Sequence, residues 1–270
     1  MREERLSLRP DKKLASVMWY GIMFLRSVVA ILLGGDNCLR CGKPSGVYPL
    51  CPPCMKHFAD AALPVSADTA SARCVICGKE LISEIGACST CREEPMLNHV
   101  DGAFPLYAYR LWKKNLLFAW KTEDKRTLSL VFARIVHDAH AALCERFGMN
   151  LPVVPVPPRP GKIKERGWDQ IDELCHYLHS GWGVTVLKLL VRRSHVQQKK
   201  LSRLARHSVS AQSYFLAKGR RLRRICPVPP ESVILLDDVM TTGSTLDACA
   251  TQLKAFGIKK VYALTLFAVS

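Results

Sequence analysis

Acidic residues are in short supply in this sequence. Its 270 residues include 23 Asp and Glu against 39 Lys and Arg, a formal charge of +16. Such an imbalance points away from a charge-neutral surface and toward a polyanionic partner, nucleic acid first, although a phosphorylated small substrate or solubility would account for part of it. A clean membrane-length apolar run is also missing. Residues 14–33 form the most apolar stretch, but Arg26 stands near its middle, where a bilayer centre would charge about 2.5–3.5 kcal/mol for it. No small-residue cleavage site follows, which disfavours a signal peptide. Leu25, Val28, Val29, Leu32 and Leu33 share one helical face, continued by Met18 and Ile22, so a helix packed on its own protein is expected, with a membrane-surface or spanning helix as the alternative. Residues 1–13 are charged and aperiodic, and Met18 or Met23 offers another start. No Gly-Lys-Ser/Thr loop is present, which excludes a Walker-type nucleotide site.

Cysteine, by contrast, is abundant. Eight of the 12 cysteines form four C-x-x-C pairs: Cys38/Cys41, Cys51/Cys54, Cys74/Cys77 and Cys88/Cys91. Two thiolates spaced in this way bind one metal ion from a tight turn, and two such pairs complete a closed tetrahedral site of four cysteines. Gly42-Lys43 and Gly78-Lys79 follow the first pair of each half, so the pattern reads as a duplicated zinc ribbon with two structural Zn2+ sites. Sequential pairing is simplest, and interleaved pairing remains open. Metal thiolates rather than disulfides imply a reducing compartment, hence the cytoplasm. His57 is not needed as a ligand. Cys144, Cys175, Cys226 and Cys249 lie in apolar patterns and are expected in the core.

The chemistry concentrates in Val233-Ile234-Leu235-Leu236-Asp237-Asp238-Val239-Met240-Thr241-Thr242-Gly243-Ser244-Thr245. Four apolar residues suit a strand buried on both faces, with the two acids expected at its end. The small-residue loop and the helical spacing of Leu246, Cys249, Leu253 and Phe256 then make a phosphate cradle at a helix N-terminus. Carboxylates beside such a cradle repel phosphate unless they grip something neutral attached to it, as ribose hydroxyls would be. The run resembles the phosphoribosyl-pyrophosphate (PRPP) motif of type I phosphoribosyltransferases. That resemblance implies that Asp237 and Asp238 hold the ribose 2′- and 3′-hydroxyls while Thr241, Thr242, Gly243, Ser244 and Thr245 hold the 5′-phosphate.

Upstream, residues 151–156 read as a second buried strand. It runs into Pro157-Pro158-Arg159-Pro160-Gly161-Lys162-Ile163-Lys164-Glu165-Arg166-Gly167-Trp168-Asp169-Gln170, a basic loop suited to pyrophosphate through Arg159, Lys162 and Arg166 or else a solvated charge run. A helix follows from about Asp169 to His179. This stretch, together with Gln197-Gln198-Lys199-Lys200-Leu201-Ser202-Arg203-Leu204-Ala205-Arg206 and Ser213-Tyr214-Phe215, resembles the ComF family of competence-associated phosphoribosyltransferases over residues 24–268. Trp168-Asp169 stands where family members usually carry Phe-Asn, and the family Asn near Ser210 to Gln212 is absent.

The expected fold is therefore α/β: a type I phosphoribosyltransferase-like parallel sheet with helices on both faces (residues 96–270), preceded by a double zinc ribbon (36–95) and a tail with an amphipathic helix (1–35). Strands are read at 101–109, 184–191 and 260–269. Helices are read at 111–121, where Trp112, Lys113, Lys114, Trp120 and Lys121 alternate aromatic with basic, and at 127–147. His137 and His140, one turn apart, lack companion ligands. Residues 220–224, with Arg220, Arg221, Arg223 and Arg224, read as a solvated loop. The resemblance implies displacement at ribose C1 of PRPP, with Mg2+ neutralising the pyrophosphate and catalysis resting on positioning and charge. Glu165 and Asp169 are the candidate bases. It further implies single-stranded DNA and competence-machinery proteins as partners in DNA uptake. The alternatives are an active phosphoribosyltransferase of nucleotide metabolism with an unidentified acceptor, and a zinc-ribbon adaptor with a vestigial pocket.

Overall fold

The computed structural model describes residues 36–46, 48–63, 65, 73–95, 97–193 and 213–269. The helix expected at 14–33 and the basic segment 197–206 lie outside them. Among the described residues no helix is long and apolar enough to cross a membrane.

The chain begins with β1 (Asp36–Asn37) and β2 (Pro44–Gly46), a short antiparallel pair, then α1 (Pro52–Asp60) and the single-turn α2 (Ser89–Glu93). The α/β unit follows as β3 (Gly102–Ala108), α3 (Trp112–Thr122), α4 (Thr127–Phe147) and β4 (Val153–Pro155). Next come α5 (Lys162–Arg166), α6 (Gln170–Trp182), and the hairpin strands β5 (Leu190–Arg192) and β6 (Tyr214–Leu216). The chain closes with α7 (Gly219–Ile225), β7 (Ser232–Met240), α8 (Ser244–Ala255) and β8 (Lys260–Ala268).

The central sheet has the order β3-β8-β7-β4, all parallel. Its two inner strands are apolar on both faces because both faces are covered: Val233, Ile234, Leu235 and Leu236 are all fully buried. Alternation divides them. Ile234 and Leu236 join the apolar cluster containing α3, α4 and α6, whereas Val233 and Leu235 join the one containing α8 and β6. The stripe Leu128, Val131, Ile135, Val136, Ala139 and Leu143 seats α4 as its spacing predicts, and Gly148 ends that helix in the left-handed conformation. His140 is buried with Nε2 bonded to the Leu151 carbonyl at 2.8 Å, and His137 stacks on Trp182. Neither histidine belongs to a potential metal cluster among the described residues.

Both cysteine-rich halves are built onto the sheet's exposed edge, β3. Phe58 of α1 stacks on Tyr107 at 4.3 Å and accepts its hydroxyl hydrogen bond at 2.9 Å. Leu63 N donates to Leu106 O, and Arg73 Nη1 donates to the carbonyls of Gly78 and Pro105 at 3.0 Å each. A Cβ on Gly78 would sit 1.8 Å from the Ala103 carbonyl oxygen, so this turn needs glycine for both its φ of +67° and its close approach. Covering β3 in this way removes an unpaired strand edge.

Four readings change. Within the stretch expected as a basic loop, Lys162–Arg166 form the short helix α5. Residues 219–225 form a helix, α7, where a loop was expected. Regular pairing in the 184–191 region is confined to Val186, which bridges Val153, and to β5. The motif strand does not stop before its acids: β7 runs to Met240, and Asp237 pairs with Thr265 and Val239 with Phe267 on β8.

Candidate zinc centres and ligand site

The eight paired cysteines gather into two groups, Cys38/Cys41/Cys51/Cys54 and Cys74/Cys77/Cys88/Cys91, each with its sulfurs within 4.8 Å of one another. The pairing is therefore sequential. Cys41 Sγ lies 3.7 Å from Cys51 Sγ, and Cys77 Sγ 3.8 Å from Cys88 Sγ; a tetrahedron with Zn–S bonds of about 2.3 Å has edges of about 3.8 Å. The amides of Cys77 and Cys88 point at Cys74 Sγ, at 3.5 and 3.4 Å. Burial pushes the Cys74 thiol up, but these amides and that of Ile76 outweigh burial and bring it down to about 7. Burial acts likewise on Cys38, and the amides of Cys51, Cys41 and Arg40 bring it down to about 6. Amide donors aimed at sulfur stabilise thiolate, the form that binds metal. Both groups can hold zinc, and with four protein ligands each they leave no position for substrate.

The second site lies where β4 and β7 end. These strands are neighbours, with Val153 opposite Ile234 and Pro155 opposite Leu236, and Val156 N donates to Leu236 O at 2.9 Å. The basic segment after β4 and, beyond Met240, the Thr/Gly/Ser loop after β7 therefore both leave the carboxyl end of the sheet, the end at which open α/β sheets bind ligands. Gly243 caps α8 at φ +89°, and a Cβ there would stand 2.7 Å from Leu97 Cδ2. The Thr242 hydroxyl donates to Ser244 Oγ at 3.1 Å and accepts from Ser244 N at 3.3 Å. Thr241 is exposed, Ser244 is buried, and Thr245 is close enough to the Tyr214 phenol to offset part of the upward push of burial on it.

Because β7 continues through them, the acids follow its alternation. Asp238 has the parity of Leu236 and meets Lys121 of α3, Nζ to Oδ2 2.7 Å. Asp237 has the parity of Leu235, and its charge is felt by Tyr214 and Cys249. Asp237 Oδ1 accepts from Asp238 N at 2.8 Å. Burial first, and then the charge of Asp238, push the Asp237 carboxyl up; the Asp238 amide and Lys121 pull it back only in part. Beside it the Thr265 hydroxyl is buried with no hydrogen-bond partner, an unsatisfied group of the kind a ligand site tolerates.

The basic loop is already tied up internally. Arg159 forms a two-pronged pair with Glu165. Lys162 Nζ reaches Asp169 Oδ2 at 2.6 Å and also Gln170. Arg166 Nη1 donates to the Lys121 carbonyl at 2.5 Å. Asp169 does double duty, capping α6 by accepting from Asp172 N at 3.0 Å. Trp168 is buried, and its Nε1 donates to Asp124 at 3.1 Å, a bond that phenylalanine could not make.

The acid pair thus stands by the basic segment through Lys121, which holds Asp238 and accepts from Arg166, and through Asp169, whose charge acts on Asp237 and which holds Lys162. The structure adds Lys121 from the last turn of α3 and Asp124 from the turn after it, and it makes Asp169, a candidate base, the α6 N-cap. It also shows that residues 97–101 run along α8. His99 N and Nδ1 bond Asp247 at 2.7 and 3.0 Å, and Asp101 pairs with Lys254 and Lys260 at 2.9 and 3.1 Å. No short-range pattern marks these contacts in the sequence.

No family model matches the chain. It is similar to Competence protein F of Haemophilus influenzae, 25% identical over 219 residues that span 70% of this chain and 93% of that protein. The ComF resemblance carried by the motifs thus extends across most of the sequence, and the parallel α/β sheet with its two four-cysteine clusters agrees with it.

Proposed function

We propose that this chain binds PRPP with Mg2+ and serves DNA uptake in natural competence, the process for which its Haemophilus influenzae relative is named. The observation that carries the reading is the juxtaposition at the carboxyl end of the sheet of an acid pair, a Gly243-centred loop at the N-terminus of α8, and a basic segment leaving the adjacent strand. Hydroxyl-bearing sugar suits the carboxylates, 5′-phosphate suits the amides of residues 241–245, and pyrophosphate suits Arg159, Lys162 and Arg166. To accept pyrophosphate Arg159 and Lys162 exchange Glu165 and Asp169 for phosphate oxygens. Mg2+ arrives on the pyrophosphate and neutralises its charge. Single-stranded DNA and competence-machinery proteins are the proposed macromolecular partners, and the cationic surface supports the first. A reducing cytoplasm suits the two thiolate clusters.

Turnover as a phosphoribosyltransferase is the second reading. The candidate bases argue for binding first: Glu165 is held by Arg159, and Asp169 by Lys162 and the α6 N-terminus. Calorimetric titration with Mg2+-PRPP tests the proposal. Binding by the native chain, lost in Asp237→Ala/Asp238→Ala with zinc still at two ions, is expected; intact binding in that variant would refute the site. Pyrophosphate release in the presence of nucleobases would establish turnover, and salt-dependent retention of single-stranded DNA would establish the DNA contact.

A further inference from the structure

We infer that Lys121 is a positioning residue of the acid pair, aiming Asp238 and offsetting its charge so that a sugar carrying phosphates can approach. The inference rests on the PRPP reading and adds to that site a residue from α3, a distant part of the chain. Lys121 Nζ stands 2.7 Å from Asp238 Oδ2, with the lysine side chain 34% and the aspartate 16% exposed, so the pair is only partly screened by water. A carboxylate has about four lone-pair positions. One ammonium leaves the others open to hydroxyl donors while it fixes the plane of the group.

Stability alone does not account for this lysine. A partly exposed ion pair is worth roughly 0–1 kcal/mol, and other contacts already hold the corner. Trp120, fully buried, donates from Nε1 to Ser129 Oγ at 2.7 Å and packs edge-on against Phe132 at 4.8 Å. The Lys121 carbonyl accepts from Arg166, and Asp124 accepts from Trp168. These bonds use the backbone and the neighbours of Lys121, not its ammonium, which is left to serve Asp238. They also join α3 to the basic loop, so the ammonium and that loop are presented together.

Charge supplies the reason. A carboxylate beside a phosphate loop repels the anion that the loop attracts. The Lys121 ammonium, in contact with Asp238, offsets that charge without touching the loop. Lysine in the last turn of a helix is also favoured by the helix dipole.

The test is protection of the full-length, zinc-loaded chain against thermal unfolding by Mg2+-PRPP, a readout that reaches weak binding. Lys121→Met is expected to raise the apparent Kd on the order of tenfold, and Lys121→Arg to restore most of the affinity. In an Asp238→Asn background, Lys121→Met should add little, because the group it acts through is neutral. Equal losses in both backgrounds, or no loss in Lys121→Met while the native chain binds, would overturn the inference and leave the PRPP reading standing. No protection of the native chain would overturn both.

Discussion

Asp237→Asn should make the ligand-free protein more stable while destroying its proposed site. Asp237 is pushed up to about 8, first by burial and then by Asp238. At pH 7 it therefore folds by taking up a proton that an ordinary carboxylate near 4 has lost, at a cost of roughly 4 kcal/mol. The charge of Asp238 supplies part of this shift, so about half of that, roughly 2 kcal/mol, is assigned to Asp237 itself. The raised value sets the sign. This contribution to stability is full below about pH 4 and is lost as pH rises toward 8. An amide at position 237 keeps an oxygen to accept from Asp238 N, now 2.8 Å away. Urea unfolding at pH 7 should show a gain of about 2 kcal/mol, shrinking below about 1 kcal/mol at pH 5. A variant that is no more stable than the native chain at pH 7, or a gain independent of pH, would refute the reasoning. A binding site that gives up stability for a buried acid is the expected trade-off.

Two further outcomes follow from the same structure. Cys77→Ser should lower bound zinc from two ions to one and cost roughly 2 kcal/mol or more of stability, because that cluster shares its apolar core with Leu97, Met240 and Leu246; two retained ions, counted by elemental analysis, would contradict the ligand set. Trp168→Phe should cost about 1 kcal/mol or less, since exposed Asp124 regains water when it loses the indole hydrogen bond. Trp168→Ala should cost about 3–5 kcal/mol by opening a cavity, and near-equal melting of the two variants would show that the ring does not pack as described.

Elements whose burial follows a period were legible from residue order. The α4 stripe, the two apolar strands and the α6 cap at Asp169 all fall where their spacing places them. Helix α7 was hard to read because none of its residues is fully buried and its apolar side is only Leu222 and Ile225, partly buried against the core; two residues among four arginines carry a weak periodic signal, although arginine itself favours helix. The extent of β7 was hidden because Asp237 and Asp238 break its apolar run, while backbone pairing with β8 carries the strand on to Met240.

Residue order alone determined the C-x-x-C pairs and the strand–loop–helix junction from Asp237 to Thr245. In both, the groups that act together sit within one turn or one strand-to-helix junction, where chain geometry leaves little choice. Tertiary packing decided the rest: sequential closure of the cysteine pairs, opposite parity for the two acids, and Lys121 on Asp238. Those contacts join residues far apart in the chain, and only the shared burial of Trp120, Phe132 and Trp168 brings α3 against the end of β7.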